Sequence, residues 1–209
     1  MSPTEEYRQF LDICPLVAII RGITPDEADA IGAVILDAGI RIIEVPLNSP
    51  DPLASIERLS ASLGDRALIG AGTVLDPDQV AGVKAAGGRL IVSPNTNPAV
   101  IRASVTAGLI ASPGYFTPSE AFTAIEAGAH ALKFFPAEAA TPAVIKAQKA
   151  VLPKHIPLVV VGGVRPDTMQ PWLDAGADGF GLGSGLYVPG QSVADTAEKA
   201  RAFVAGLGR

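Results

Sequence analysis

Short apolar runs recur along the chain, and polar, helix-forming stretches separate them. Eight of these runs are rich in β-branched residues, at residues 16–20, 40–45, 67–71, 89–93, 109–112, 130–135, 157–161 and 178–182. The runs are almost continuously apolar, which is typical of strands covered on both faces in a parallel sheet. The pattern therefore predicts eight parallel strands.

The stretches between the strands carry helix-boundary signals. Three of them, residues 24–39, 76–87 and 117–128, begin with Thr-Pro or Asp-Pro and end on Ala-Gly or Gly. Thr and Asp cap helix N-termini, proline is favoured at the first helical position, and glycine suits the position after a helix. Eightfold alternation of strand and helix predicts an α/β fold, a single (β/α)8 TIM barrel over residues 1–209.

A doubly wound open sheet is the alternative fold. The runs GAGTV (70–74) and GLGSG (181–185) resemble glycine-rich dinucleotide-binding turns. Neither completes the G-x-G-x-x-G spacing after a first strand with a later acidic residue for the ribose, so the barrel is preferred.

Charge and cysteine content exclude several classes of function. The 209 residues carry a formal net charge of −5, which predicts no basic surface for nucleic acid. The single cysteine, Cys14, can form no intrachain disulfide. The first residues lack the basic and apolar regions of a signal peptide, and no apolar run reaches the roughly 20 residues of a membrane span. We expect a cytoplasmic protein with no nucleic-acid or membrane partner.

Polar residues mark the predicted C-terminal strand ends, where the active sites of such barrels lie. Glu44 and Lys133 each place an ionisable group inside an otherwise apolar strand. The other residues of this polar ring are Arg21, Thr73, Ser93, Pro94, Asn95, Pro113, Gly162, Gly163, Gly183 and Ser184. The sequence thus predicts an active site at this end of the barrel.

Glu44 and Lys133 admit two interpretations. They can form a structural ion pair, although desolvation offsets much of the attraction in a buried pair. Alternatively, burial and a nearby cation lower the lysine pKa, so that a free amine attacks a ketone while the carboxylate transfers protons. The second interpretation describes a metal-free aldolase that forms a Schiff base.

Other ring residues suggest how a substrate is held. The glycine-rich segments VGGV (161–164) and GLGSGL (181–186) can direct backbone N–H groups at a phosphate. Arg21 can bind a carboxylate through two parallel hydrogen bonds, and Thr73 can donate its hydroxyl nearby. The chain has only two histidines, so a three-histidine zinc site is impossible and we expect no metal.

With these residues in place, the chain resembles the 2-keto-3-deoxy-6-phosphogluconate and 2-keto-3-deoxy-6-phosphogalactonate aldolases. The resemblance rests on AIIRGITPDEA, IEVPLNSP, LIGAGTVL, LIVSPN, EAFTAIEAGAHALKFFPAE and VVGGV, which occur in the family's order and spacing. It implies a class I aldolase of the (β/α)8 type that uses no cofactor or metal and forms homotrimers.

The resemblance also implies roles for individual residues. Lys133 would form the Schiff base with the substrate, and Glu44 would be the general acid/base. Arg21 would bind the substrate carboxylate, and we assign Thr73, Pro94 and Asn95 to the same carboxylate and keto-binding region. The phosphate cradle would consist of four residues: Gly162, Gly163, Gly183 and Ser184.

The run PLNS, residues 46–49, bears on substrate choice. The phosphogluconate enzymes usually carry Thr-Leu-Arg-Thr after the glutamate, so this chain resembles the phosphogalactonate branch, with Asn48 in place of a second arginine. The two substrates differ only in configuration at C4, which bears the hydroxyl that is deprotonated on cleavage. We therefore predict that Pro46 and Asn48 set the epimer preference.

The predicted reaction is reversible cleavage of the phosphorylated keto sugar acid to pyruvate and D-glyceraldehyde 3-phosphate. An aldolase acting on unphosphorylated 4-hydroxy-2-oxoglutarate is the nearest alternative. A phosphate-binding barrel isomerase or epimerase, or a sugar-phosphate binding protein without activity, are the others.

Overall fold

The computed structural model describes residues 2–208, which form one barrel of parallel strands surrounded by helices. The strand segments are β1 (Leu16–Ile19), β2 (Ile42–Pro46), β3 (Leu68–Gly72), β4 (Leu90–Val92), β5 (Ile110–Ser112), β6 (Gly114–Tyr115), β7 (Leu132–Phe134), β8 (Leu158–Val161) and β9 (Gly179–Leu182). They pair in parallel in the order β5-β4-β3-β2-β1-β9-β8-β7-β6. The predicted (β/α)8 fold is confirmed, and Met1 and Arg209 of the predicted domain lie outside the described residues.

The fifth predicted strand, residues 109–112, corresponds to β5, and the short strand β6 follows it beyond Pro113, which has no backbone N–H to donate. β5 pairs with β4, and β6 pairs with β7. The amides of His130 and Ala131 donate to the Ala111 carbonyl at 2.9 and 3.2 Å, and the Lys133 amide donates to the Pro113 carbonyl at 2.9 Å. These bonds close the sheet into a barrel, so the open doubly wound alternative is wrong.

Helices follow the strands around the outside of the barrel. They are α1 (Pro3–Ile13), α2 (Pro25–Asp37), α3 (Pro52–Leu63), α4 (Gln79–Ala85), α5 (Pro98–Thr106), α6 (Pro118–Glu126), α7 (Pro142–Lys149), α8 (Gln170–Asp174) and α9 (Val193–Ala205), with a 3-10 turn at Ala137–Ala139. In the described part of the chain, none of them is long and apolar enough to cross a membrane.

Two of the three predicted helix starts are observed. Thr24 and Thr117 are the N-caps of α2 and α6, each with proline at the start of the helix. The third was placed too early, because α4 begins at Gln79 and not after Asp76. The Asp76 carboxylate accepts from the Asp78 amide at 2.9 Å, which holds this segment in a turn before the helix.

Helix α1, which the strand-helix pattern did not predict, covers the N-terminal end of the barrel. Its N-cap Ser2 and Glu5 form a capping box. Tyr7 and Leu11 are buried in an apolar cluster with inward-facing residues of the strands. A second, larger cluster, which includes Cys14, packs the strands against the outer helices. Side chains therefore fill the N-terminal end of the barrel, and the polar ring lies at its C-terminal mouth.

Candidate active site

Lys133 and Glu44 face each other inside the barrel. Lys133 is the central residue of β7, and Glu44 is the central residue of β2. Their side chains are 9% and 2% exposed, and Lys133 Nζ lies 3.9 Å from Glu44 Oε1. Among residues 2–208, Glu44 Oε2 has no hydrogen-bond partner. The separation is long for a hydrogen bond, so the two groups are neighbours that a substrate atom or a water can bridge.

Burial moves the pKa values of both groups toward their neutral forms. Burial lowers the pKa of Lys133, which the Glu44 carboxylate opposes and the Arg21 cation reinforces. Burial raises the pKa of Glu44, against the influence of Lys133 and Arg21. A lysine whose neutral amine is favoured can attack a carbonyl carbon, and a carboxyl group with a raised pKa can donate as well as accept a proton.

Gly72, at the end of β3, makes room for the Glu44 carboxylate. A Cβ atom at this position would lie 1.3 Å from Glu44 Oε2. The parallel register pairs Glu44 with Gly70 and Pro46 with Gly72, which brings the end of β3 beside the carboxylate. Gly72 lies in the run GAGTV and was not among the predicted site residues. Its role depends on the strand register, which the sequence does not display.

A cavity of about 200 Å³ opens at the C-terminal mouth, directly above Lys133. Eight of the predicted site residues line it: Arg21, Thr73, Pro94, Lys133, Gly162, Gly163, Gly183 and Ser184. Lys133 also borders the small interior space that contains Glu44. The lysine amine therefore stands between the cavity and the buried carboxylate.

Arg21 connects three neighbouring strand exits at one side of the cavity. Its Nη1 donates to Asn48 Oδ1 at 2.5 Å, and its Nη2 donates to Thr73 Oγ1 at 3.3 Å. Thr73 has a φ of +56°, which is unusual for a β-branched residue. Asn48 is exposed and outside the cavity lining, and it reaches the site through the Arg21 guanidinium, while Pro46 is buried at the end of β2.

The glycine-rich turns after β8 and β9 lie across the cavity from Thr73. Gly162 and Gly163 have φ values of +117° and +63°, conformations that side-chain-bearing residues rarely adopt. Within residues 2–208, the amides of Gly163 and Ser184 donate no backbone hydrogen bond outside regular helices and strands. These amides are available to an anion in the cavity.

Ser93 and Asn95 belong to the predicted polar ring but do not line the cavity. Asn95 is exposed to solvent. The flanking side chains bind elsewhere, because Ser93 Oγ donates to the Val74 carbonyl at 2.7 Å and Thr96 Oγ1 donates to the Gly114 carbonyl at 2.8 Å. These bonds fix the loop after β4, so the structure brings Pro94 into the cavity and leaves Asn95 outside.

Phe135 and Glu138 line the cavity, although they were not among the predicted site residues. The Phe135 ring centroid lies 5.3 Å from Lys133 Nζ. Both residues belong to the run KFFPAE, and their position directly after the lysine strand was the available signal.

His130 lies outside the cavity. Its Nδ1 accepts from the Ala111 amide at 3.0 Å, and its pKa is lowered by burial. Among the described residues, no cluster of His, Cys, Asp or Glu suited to a metal was found.

Comparison with known proteins places this arrangement in a family. Residues 8–199 match the family model described as "Aldolase: KDPG and KHG aldolase", where KDPG is 2-keto-3-deoxy-6-phosphogluconate and KHG is 4-hydroxy-2-oxoglutarate. The chain belongs to this family. The predicted family and the predicted enzyme class, a carbon–carbon lyase of the aldolase type, are thereby confirmed.

Individual members of this aldolase family are closely similar to the chain. It is 54% identical over 190 residues to the 2-dehydro-3-deoxy-6-phosphogalactonate aldolase of Escherichia coli K12, covering 91% of this chain and 93% of the relative. It is 47% identical over 191 residues to the "Probable 2-dehydro-3-deoxy-6-phosphogalactonate aldolase" of Rhizobium meliloti 1021, covering 91% and 90%. A solved structure described as native KDPGal matches with a TM-score of 0.91 and 53% identity, covering 93% and 94%.

Proposed function

We propose that this protein is a class I aldolase that cleaves 2-keto-3-deoxy-6-phosphogalactonate to pyruvate and D-glyceraldehyde 3-phosphate. The observation that carries the proposal is the position of Lys133. Its amine is 3.9 Å from a buried carboxylate and borders the cavity at the barrel mouth. The choice of 2-keto-3-deoxy-6-phosphogalactonate as substrate rests on the names of two relatives, which are 54% and 47% identical to this chain.

The reaction begins at Lys133. The neutral amine attacks the C2 ketone and forms a carbinolamine, and loss of water gives a protonated imine. Glu44, directly or through a water, supplies and removes the protons of this step. The imine needs no metal, because its positive nitrogen accepts electrons in the next step.

Cleavage of the C3–C4 bond follows. Glu44 takes the proton of the C4 hydroxyl, C4 becomes the aldehyde carbon of glyceraldehyde 3-phosphate, and the bonding electrons move through C3 to the imine nitrogen. The resulting enamine is protonated at C3, and hydrolysis of the imine releases pyruvate and regenerates the Lys133 amine. Because Glu44 ends as it began, one carboxyl group serves the whole cycle.

The cavity provides separate places for the two ends of the substrate. Arg21 and Thr73 stand together at one side, bonded at 3.3 Å, and are suited to bind the carboxylate. The amides of Gly163 and Ser184 at the other side are suited to bind the phosphate. We assign the carboxylate to the first group and the phosphate to the cradle, with Gly162 and Gly183 completing it.

Asn48 supports the proposal that the galacto epimer is the preferred substrate. It accepts a hydrogen bond from Arg21 at the exit of β2, the strand that carries Glu44. A neutral amide at this point leaves Arg21 as the main cation for the carboxylate, and it acts on the site by holding the Arg21 guanidinium. We infer that the gluconate epimer is also cleaved, but less efficiently.

A second candidate function is cleavage of unphosphorylated 4-hydroxy-2-oxoglutarate. The family model includes that activity in its description. Dependence of the rate on the substrate phosphate separates the two candidates. An isomerase, an epimerase or a binding protein without turnover lacks a comparable supporting observation.

We further propose that the chain acts as a cytoplasmic homotrimer, because of the family resemblance. Light scattering during size-exclusion chromatography measures the mass of the assembly, and fractionation of cells tests the location. A monomer in solution would contradict the trimer.

Trapping with pyruvate and borohydride tests the reaction type. Reduction of the imine should add a covalent group to Lys133 and inactivate the protein. Trypsin does not cleave at an alkylated lysine, so mass mapping should find the modification in the peptide of residues 103–146, with cleavage at 133 missing. Modification of Lys84 or Lys146 in place of Lys133 would refute the assignment.

A further inference from the structure

Glu138 lies against the phosphate cradle, although no step of the proposed reaction uses it. It belongs to the 3-10 turn Ala137–Ala139 and lines the same cavity as Lys133. A Cβ atom at Gly162 would lie 1.9 Å from Glu138 Oε2, and one at Gly163 would lie 2.7 Å from Glu138 Cγ. The carboxylate therefore covers the two glycines whose turn faces the cavity.

The charge of Glu138 is unbalanced where it stands. Among residues 2–208, its carboxylate has no ion-pair or hydrogen-bond partner. The other ionisable residues that line the cavity, Arg21 and Lys133, belong to the part of the site that takes the keto-acid end of a substrate. A phosphate on the cradle would thus stand directly beside a like charge.

We propose that Glu138 is a specificity-determining residue that weakens the binding of phosphate at the cradle. A phosphate bound at the cradle must either displace the Glu138 carboxylate or lie close to it, and two negative charges close together repel each other. A substrate that also holds Arg21 and forms the imine with Lys133 compensates for that repulsion. Inorganic phosphate and the departing glyceraldehyde 3-phosphate have no such second attachment and are bound weakly.

This inference rests on the proposed function only for the identity of the substrate. The contact between Glu138 and the two glycines exists whatever the substrate is, so binding of inorganic phosphate tests it directly. The side chain is exposed, and its replacement should leave the fold intact. Glu126, which is exposed on α6 and outside the cavity, offers a control with the same change of charge.

The experiment compares the wild-type protein with Glu138→Gln, Glu138→Asp and Glu126→Gln. Calorimetric titration with inorganic phosphate should show a dissociation constant about 3- to 10-fold lower for Glu138→Gln, the range expected for one exposed carboxylate beside a doubly charged anion. Glu138→Asp draws the carboxylate back by one methylene group, so its dissociation constant for phosphate should lie between those of the wild type and Glu138→Gln. The dissociation constant of Glu126→Gln should match that of the wild type.

Steady-state kinetics supplies the second readout. In Glu138→Gln, product inhibition by glyceraldehyde 3-phosphate should strengthen, while in Glu126→Gln it should match the wild type. Equal phosphate affinity in Glu138→Gln and Glu126→Gln, or weaker affinity in Glu138→Gln, overturns the inference. If the wild type cleaves neither substrate but Glu138→Gln binds phosphate more tightly, the proposed function fails and the inference about Glu138 stands.

Discussion

Replacement of Glu44 by glutamine separates imine formation from cleavage. The amide keeps the size of the side chain but can no longer accept the C4 hydroxyl proton. Glu44 Oε2 has no hydrogen-bond partner among residues 2–208, and Gly72 leaves space beside it, so the substitution breaks no hydrogen bond of this atom. The expected effect is therefore catalytic and not structural.

The expected magnitude follows from the proton-transfer role. Loss of a positioned acid/base lowers turnover by about 10²–10⁴-fold, which corresponds to roughly 2.7–5.4 kcal/mol in the activation free energy. No other carboxylate borders the interior space beside Lys133, as far as residues 2–208 show, so little substitution by a neighbour is expected.

The same substitution should shift the pH dependence of trapping. The Glu44 carboxylate raises the pKa of Lys133, so its replacement by an uncharged amide should lower that pKa. Imine formation requires the neutral amine, and its rate should therefore reach half its maximum at a lower pH in Glu44→Gln than in the wild type.

Two assays on one preparation test whether Glu44 acts as the acid/base. Cleavage is followed by coupling pyruvate release to a dehydrogenase, and imine formation by borohydride trapping with pyruvate across a pH series, with Glu126→Gln as the control. Turnover near the wild-type value would return Glu44 to a structural role. Loss of trapping together with turnover would show that Glu44 is required for imine formation as well as for cleavage.

Three further predictions concern the metal, the substrate and the fit of the carboxylate. EDTA should leave the cleavage rate unchanged, and activity restored by a divalent ion after its loss would indicate a metal-dependent enzyme. The kcat/KM for the galacto epimer should exceed that for the gluco epimer by roughly 2- to 12-fold, the worth of one hydrogen bond, and a tenfold preference for the gluco epimer would contradict the role given to Asn48. Gly72→Ala should lower kcat at least tenfold, because the new methyl group would displace Glu44 Oε2. The control is Gly39→Ala, whose new methyl group meets no atom within 4 Å and should affect stability only. Equal kcat in the two variants would show that Gly72 does not position the carboxylate.

Much of the barrel was readable from the sequence, because its signals are local. Strands covered on both faces must be apolar throughout, and the helix N-caps at Thr24 and Thr117 use side chains next to the helices they begin. The same apolar background made Glu44 and Lys133 conspicuous. Local signals were misjudged where they were subtle, as at Asp76, or lay outside the repeat, as in the capping box of Ser2 and Glu5.

Tertiary structure alone decided which polar residues meet. The C-terminal ends of parallel strands converge in a barrel, but strand register and loop hydrogen bonds determine which side chains face the cavity. The register places Gly72 beside the Glu44 carboxylate, the bonds of Ser93 and Thr96 leave Asn95 outside, and a turn beyond β7 brings Glu138 over the cradle. These contacts join residues far apart along the chain, and their geometry depends on the packing of the whole barrel, so no local pattern records them.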